Sequence, residues 1–406
     1  MPGGFTTAAF PSWSRRATRW AVLICILSLL GLTLRFVDYP RMLDLAVYRA
    51  EGSALRHGLG LYGNIGAPDE LPATYPPFAA MLFTVLTAIP MRLAIVLATL
   101  GNVALLVAAI ELSRRLVNRR LIVPMPPLTT AAAAAVLAWC EPVYSTLDFG
   151  QINLLVLVLV LAEFSLPADS RLRGLPLGIA IGLKLTPAVF ILYLLVTRRW
   201  RWAGRVCTAF AATIAISAAI RPSDTWHFWT KLALDSDRPG SVAQGVNQSL
   251  NAVLARMLHT MRPGAVWLVV ALVALALGLR VASRAYLVHG EAWGLCAAGV
   301  TGLLVSPVSW SHHWVWCVPV ALLLWANVRQ LTPPARVVAA VAFGCFFLWM
   351  PQWVRPGAHD LHMNPAQFVL AMPYVLLGIG FLLALERMSR APSAVPFAPR
   401  AGSFAR

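Results

Sequence analysis

Apolar runs recur from Trp20 to Leu385, and the short breaks between them carry arginine, proline or glycine. A water-soluble domain has no use for so many apolar runs. A helix of about 20 apolar residues, by contrast, crosses the roughly 30 Å hydrocarbon core of a bilayer with its backbone hydrogen bonds satisfied internally. Composition agrees: 59% of residues are hydrophobic and 12% charged, with a mean hydropathy of +0.71. No stretch is left for a separate soluble domain. The chain therefore reads as one all-α polytopic membrane domain over residues 19–386. A cytoplasmic N-terminus (1–18) precedes it, and a Pro/Ala/Ser-rich cytoplasmic tail (387–406), expected to be disordered, follows it.

The net charge of +17 does not point to nucleic acid, because the arginines sit between apolar runs rather than in one patch interleaved with stacking aromatics. That is the distribution expected where arginine sets topology and meets anionic lipid headgroups. The six cysteines are scattered singly, without metal or C-x-x-C spacing, and read as core packing. Arg15, Arg16 and Arg19 precede an apolar run reaching Val37, longer than a signal-peptide core, so this run is expected to remain as the first helix.

Basic clusters at Arg114/Arg115/Arg119/Arg120, Arg171/Arg173, Arg198/Arg199/Arg201/Arg205, Arg280/Arg284, Arg329/Arg336 and Arg387/Arg390 should all be cytoplasmic, as should both termini. Satisfying this requires two irregular segments. The run Phe78–Ile89 is too short to span and is expected to lie in the outer interface. Residues 174–197, broken at Lys184 and Pro187, are expected to enter and leave on the cytoplasmic side as a hairpin. About ten full spans then fall near 19–37, 92–113, 127–141, 151–168, 203–220, 264–282, 290–305, 313–328, 336–352 and 366–386. The outer face receives 38–91, 141–150, 221–263, 306–312 and 353–365, which hold every unusual polar cluster except Lys184.

In the first outer segment, Asp44 follows a membrane helix with Tyr48 and Arg49 close behind, where burial and a neighbouring cation can set a carboxylate up for proton abstraction. A solvated loop carboxylate or helix cap is the plainer reading. Tyr75, in Thr74-Tyr75-Pro76-Pro77, stands at a rigid helix entry. Gln151 and Asn153 open an apolar run, where amides serve sugar hydroxyls or a neighbouring helix equally well. Asn247-Gln248-Ser249 closes an aromatic-rich outer segment and by itself says little. In Ser306-Pro307-Val308-Ser309-Trp310-Ser311-His312-His313, adjacent imidazoles point in different directions, which favours a phosphate contact or an orienting role over a shared metal. Lys184 is one of two lysines and lies within a membrane-embedded break, where an ionisable group needs an anionic partner.

Taken together, Asp44-Leu45-x-x-Tyr48, Thr74-Tyr75-Pro76-Pro77, Gly150-Gln151-x-Asn153, Lys184-Leu185-Thr186-Pro187, Asn247-Gln248-Ser249 and Ser306-Pro307-x-Ser309-Trp310-x-His312-His313 resemble one family in order and spacing. It is the actinobacterial polyprenol-phosphate-mannose-dependent α-(1→2)-mannosyltransferases, glycosyltransferase family 87 with the C-type membrane fold. The nearest likeness is to its members acting on phosphatidylinositol mannosides; lipomannan-branching and arabinofuranose-transferring siblings share much of the pattern. The resemblance implies a polyprenyl-phosphate-mannose donor, a phosphatidylinositol mannoside acceptor, inversion at the anomeric carbon and an active site on the outer face of the plasma membrane. It implies Asp44 as the catalytic carboxylate. Beside it, on the mechanism this suggests, His312, His313, Arg49 and Lys184 are expected toward the donor phosphate, and Tyr48, Tyr75, Gln151, Asn153, Asn247, Gln248 and Trp310 toward sugar or acceptor. No metal or cofactor is implied, and Asp235-Ser236-Asp237, the one Asp-x-Asp string, is given no metal. The rival from another class is a transporter or flippase, which would show a second broken segment answering 174–197; the sequence offers none.

Overall fold

The computed structural model describes residues 15–38, 42–117, 126–233, 235, 240–354, 357 and 360–390. Among these residues the chain is helical and carries no strand, only an isolated antiparallel bridge between Asn247 and Trp310. The expected N-terminal segment up to residue 14, the tail from 391, Arg119, Arg120 and Asp237 lie outside the described residues.

Four helices are long and apolar enough to cross a membrane: Arg16–Leu34, Met91–Val117, Trp200–Ile220 and Ala265–His289. They coincide with four of the expected spans. The other expected spans are shorter or broken. Pro127–Leu137, Glu291–Val305 and Pro333–Phe347 are helices of 10–17 residues, and 151–168 becomes the second arm of a pair, Glu141–Phe149 and Asn153–Ser165, bent by 118°. Proline explains much of this. Pro127, Pro142, Pro333 and Pro365 occupy first helical turns, where a missing N–H costs nothing, and each restarts the chain inside or beside an apolar stretch. Lengths alone therefore establish fewer full crossings than the apolar runs suggested.

Every residue from Glu291 to Leu304 is buried, as a helix apolar on all sides must be when it lies at a core. Around it the main cluster draws on the helices at 91–117, 153–165, 189–196 and 317–326.

The break at Lys184 is present. Helix Leu175–Leu183 stops there, a 3-10 turn covers Thr186–Ala188, and Val189–Val196 follows. The first arm climbs the Trp200–Ile220 helix. A Cβ on Gly174 would lie 2.6 Å from Arg205, one on Gly178 2.4 Å from Ala209 and one on Gly182 2.5 Å from Thr213. The second arm returns: Tyr193 donates to Glu291, which also pairs with Arg199 at 2.6 Å. Both feet thus stand at the Arg199–Arg205 end, and Lys184 sits at the tip.

At that same end Glu386 pairs with Arg280, Arg284 and Arg390. At the other end of the 21-residue Trp200–Ile220 helix, about 30 Å away at 1.5 Å per residue, Asp224 accepts from the Leu61 backbone and pairs with Arg221. The segment 42–90 therefore packs at the pole opposite most of the basic clusters.

Candidate active site

Asp44, Tyr48 and Glu51 are spaced i, i+4 and i+7 on the helix Leu43–Arg56 and so share a face. The Met42 N–H donates to the Asp148 carbonyl at 2.8 Å, fixing the start of this helix against the bent pair. Glu51, fully buried, accepts from the Thr74 N–H at 3.2 Å and tethers the strap that presents Tyr75. Tyr48 stacks on Phe83 with centroids 4.3 Å apart, and Tyr75 stands edge-on to Tyr48 at 5.1 Å.

Gly150 brings Gln151 to this face. It ends the helix Glu141–Phe149 in the left-handed conformation (φ 68°), and a Cβ there would lie 2.8 Å from that of Leu45, so both backbone angle and proximity require glycine. The Gln151 Oε1 lies 2.7 Å from the Tyr48 hydroxyl and 2.9 Å from the Tyr75 hydroxyl, and the hydroxyls are 2.8 Å apart. The same side chain lies by Asp44 and favours its ionised form. Burial pushes the Asp44 carboxyl up to about 6, opposed by the Gln151 hydrogen bond and the charge of Lys184. Burial, reinforced by Asp44, also holds both phenols above their usual range, so they remain protonated donors.

Lys184 closes the centre from the hairpin tip. Its Nζ donates to Asn153 Oδ1 at 2.8 Å, lies 3.0 Å from His313 Nε2 and stands 5.6 Å from the Tyr75 ring centroid. With Lys184 charged, its ammonium has no lone pair to offer, so His313 Nε2 accepts and its proton is assigned to Nδ1. That Nδ1 is buried without a partner, and so is His312 Nε2. Asn153 completes the link, donating to the His312 carbonyl at 2.9 Å, which Thr146 also reaches at 3.1 Å. A cavity of about 40 Å³ adjoins Lys184, Asn153 and His313, with Val160, Phe190 and Leu303 among its apolar walls. It has room for a few waters but not for an isoprenoid chain.

The residues expected from sequence divide. Asp44, Tyr48, Tyr75, Gln151, Asn153, Lys184, His312 and His313 come together. Arg49 does not join them through the nitrogen seen bonded: its Nη1 donates to the carbonyls of Leu86 and Ile89, tying the helix to its neighbour. Asn247 donates to Val242 O and accepts from Ser309 N, each at 2.9 Å. Gln248 donates to the carbonyls of Gly245 and Ala371 and accepts from Tyr374 N. These two amides hold the 306–311 loop and the start of the Pro373–Arg390 helix rather than opening onto the centre. Trp310 bridges Asn247 through its backbone and lies against Gly240.

Sequence reasoning passed over Glu141. It is fully buried and accepts from Ser145, Ser311 and Gln352 on one oxygen and from Tyr374 on the other, at 2.7–2.8 Å, fixing the residue next to His312. Its signal was a carboxylate inside the apolar stretch 127–141. Among the described residues, no three His, Cys, Asp or Glu side chains gather as they would around a metal.

The description of glycosyltransferase family 87 matches residues 73–307. A polyprenol-phosphate-mannose-dependent alpha-(1-2)-phosphatidylinositol pentamannoside mannosyltransferase of Mycobacterium tuberculosis is 34% identical over 410 residues, covering 95% of this chain and 93% of its own. A polyprenol-phosphate-mannose-dependent alpha-(1-2)-phosphatidylinositol mannoside mannosyltransferase of Mycolicibacterium smegmatis is 35% identical, covering 78% of this chain and 77% of its own. No solved structure matches the chain. With similarity of this extent along most of its length, the chain belongs to glycosyltransferase family 87.

Proposed function

We propose that this chain transfers mannose from polyprenyl-phosphate-mannose to a mannosylated phosphatidylinositol, forming an α-1,2 linkage with inversion, in the plasma membrane. Its relatives are named for that donor and for phosphatidylinositol mannoside acceptors. The observation that carries the reading is Asp44 and Lys184 in one centre, with the Lys184 Nζ 3.0 Å from His313 Nε2 and unpartnered nitrogens on His312 and His313. A carboxylate to take a proton and a cationic cradle for a phosphate are the two groups this displacement needs.

Asp44 takes the proton of the acceptor 2-hydroxyl as its oxygen bonds to the anomeric carbon. The bond from that carbon to the phosphate oxygen breaks on the opposite face. Lys184 and the free His313 N–H receive the charge left on polyprenyl phosphate, with Asn153 holding the lysine in place. One displacement inverts the centre. No step as written calls for a metal.

About ten crossings, counting the short and bent helices with the four long ones, place 19–386 in the bilayer as one domain. Both termini and the basic pole are cytoplasmic, and the 42–90 pole with Asp44 faces outward.

The test is transfer from radiolabelled polyprenyl-phosphate-mannose to a phosphatidylinositol mannoside by the protein in lipid, with Asp44→Asn alongside. Transfer by the parent and at least a hundredfold less by the variant is the expected result. Normal turnover by Asp44→Asn would remove the base, and a folded parent that transfers only arabinofuranose, or nothing, would remove the donor.

A further inference from the structure

We infer that Gln151 is a positioning residue for the base, its amide locked by Tyr48 and Tyr75 so that its N–H group is held on Asp44, and that these three side chains do not bind the sugar. The inference rests on the reading of Asp44 as the base.

Three oxygens, those of Tyr48, Tyr75 and Gln151 Oε1, lie mutually 2.7–2.9 Å apart, and only the two hydroxyls bring protons. At most two of the three contacts are therefore hydrogen bonds, and in either arrangement Oε1 accepts at least one. Gln151 is 5% exposed, Tyr48 1% and Tyr75 7%, so water has little access to these groups. An ionised carboxylate only accepts, so Gln151 can favour the Asp44 carboxylate only through Nε2. Both ends of the amide thus demand the same orientation, and a flip would oppose Oε1 to the carboxylate. Neither phenol proton is free for a sugar hydroxyl.

The arrangement is built by the backbone. Tyr48 lies one turn beyond Asp44 on the same helix, Gly150 brings the next residue against that helix, and Glu51 ties down the Thr74–Tyr75 strap. Other charged groups around the Asp44 helix are Lys184 from the hairpin tip and buried Asp148 from the helix Glu141–Phe149. Asp69 and Glu70 are exposed on the 68–70 turn, and Arg49 is turned to carbonyls. His312 and His313 stand by Lys184, His313 Nε2 at 3.0 Å from its Nζ.

A group that donates to the carboxylate favours its ionised form, so its loss must move the acid side of the rate profile toward higher pH. Both lipid substrates are phosphodiesters and do not titrate near neutrality. Steady-state kinetics against pH on Gln151→Glu, Gln151→Leu and the pair Tyr48→Phe/Tyr75→Phe separate the roles. The acid limb should move up most for Gln151→Glu, where a second carboxylate faces Asp44. It should move by about one pH unit for Gln151→Leu, which means about fivefold slower turnover at the parent's midpoint and about tenfold well below it, and least for the tyrosine pair. KM for donor and acceptor should stay within about threefold of the parent.

If the amide instead binds sugar, Gln151→Glu keeps an acceptor, the limb stays in place and KM rises in Gln151→Leu; that pattern overturns the inference. Should Gln151→Leu not fold, the near-isosteric Gln151→Glu and the tyrosine pair decide alone. Asp44→Asn runs in parallel. An inactive Asp44→Asn with an unmoved limb elsewhere defeats only the positioning role, whereas an active Asp44→Asn defeats the base itself.

Discussion

A carboxyl whose pKa is near 6 in the folded chain, against 3.8 ordinarily, binds its proton more tightly folded than unfolded. Ionised Asp44 therefore costs stability above pH 6, and the cost disappears as pH falls toward the unfolded value. The base role proposed for Asp44 needs the ionised form, so in that role rate and stability run in opposite directions through the same titration. Asp44→Asn, which cannot ionise, should melt at or above the parent's temperature at pH 8, and the gap should close on approach to pH 4. A variant that melts lower at pH 8 would mean that Asp44 supports the fold, and the loss of transfer would then lose its meaning. Residue types were legible here where chemistry is rare in a membrane: Asp44 beside a span and Lys184 within a break. Their partners were not. Asn247 and Gln248 sit in a string as conspicuous as Gly150-Gln151, yet they serve backbone carbonyls and N–H groups, because a sequence does not say whether an amide turns toward a cavity or a loop. Glu51 went unassigned although its i+7 spacing from Asp44 already put it on the base's face.

The hairpin 174–197 is the element that delivers Lys184, and its register rests on small residues. Gly178 and Gly182 let its first arm lie against Ala209 and Thr213 at distances where no Cβ fits, the close backbone approach that membrane helices use where hydrophobic burial offers no drive. Gly178→Val should push the arms away from the Trp200–Ile220 helix. Overpacking of this kind costs about 1–3 kcal/mol, seen as a lower melting temperature in detergent. It should also reduce transfer by more than the unfolded fraction explains, since the tip carries the ammonium. Full activity at the lowered melting temperature would uncouple the arm's seating from the position of Lys184. The sequence announced this element through its Lys and Pro at mid-run, because a charge and a missing N–H are intolerable in a simple span. It did not announce the 118° bend between Glu141–Phe149 and Asn153–Ser165: Gly150 ends one helix and frees the next, but a single glycine in an apolar run is common and has no fixed angle attached.

Across the whole molecule, the Trp200–Ile220 helix works as a ruler. At its first turn stand Arg199, Glu291 and the feet of the hairpin, while at its last, about 30 Å away, Arg221 and Asp224 engage the backbone at Leu59 and Leu61. That separation equals a hydrocarbon core, so the proposed topology sets these poles on opposite sides of a bilayer and Asp44, in the segment tied to Asp224, on the side away from the arginine clusters. Which side is cytoplasmic follows from the positive-inside rule alone, so it needs a direct experiment. In a chain with exposed Cys207 changed to Ser, Asn64→Cys replaces an exposed residue of the 58–70 segment and Ala168→Cys lies on the exposed turn before the hairpin. An impermeant maleimide added to intact spheroplasts should label the first and leave the second untouched until the membrane is opened. The reverse pattern would put Asp44 in the cytoplasm, where the acceptor sugar and the lipid-linked donor would have to be presented from the inner leaflet. Labelling of both from outside would mean that the short and bent helices do not close the bilayer between these poles.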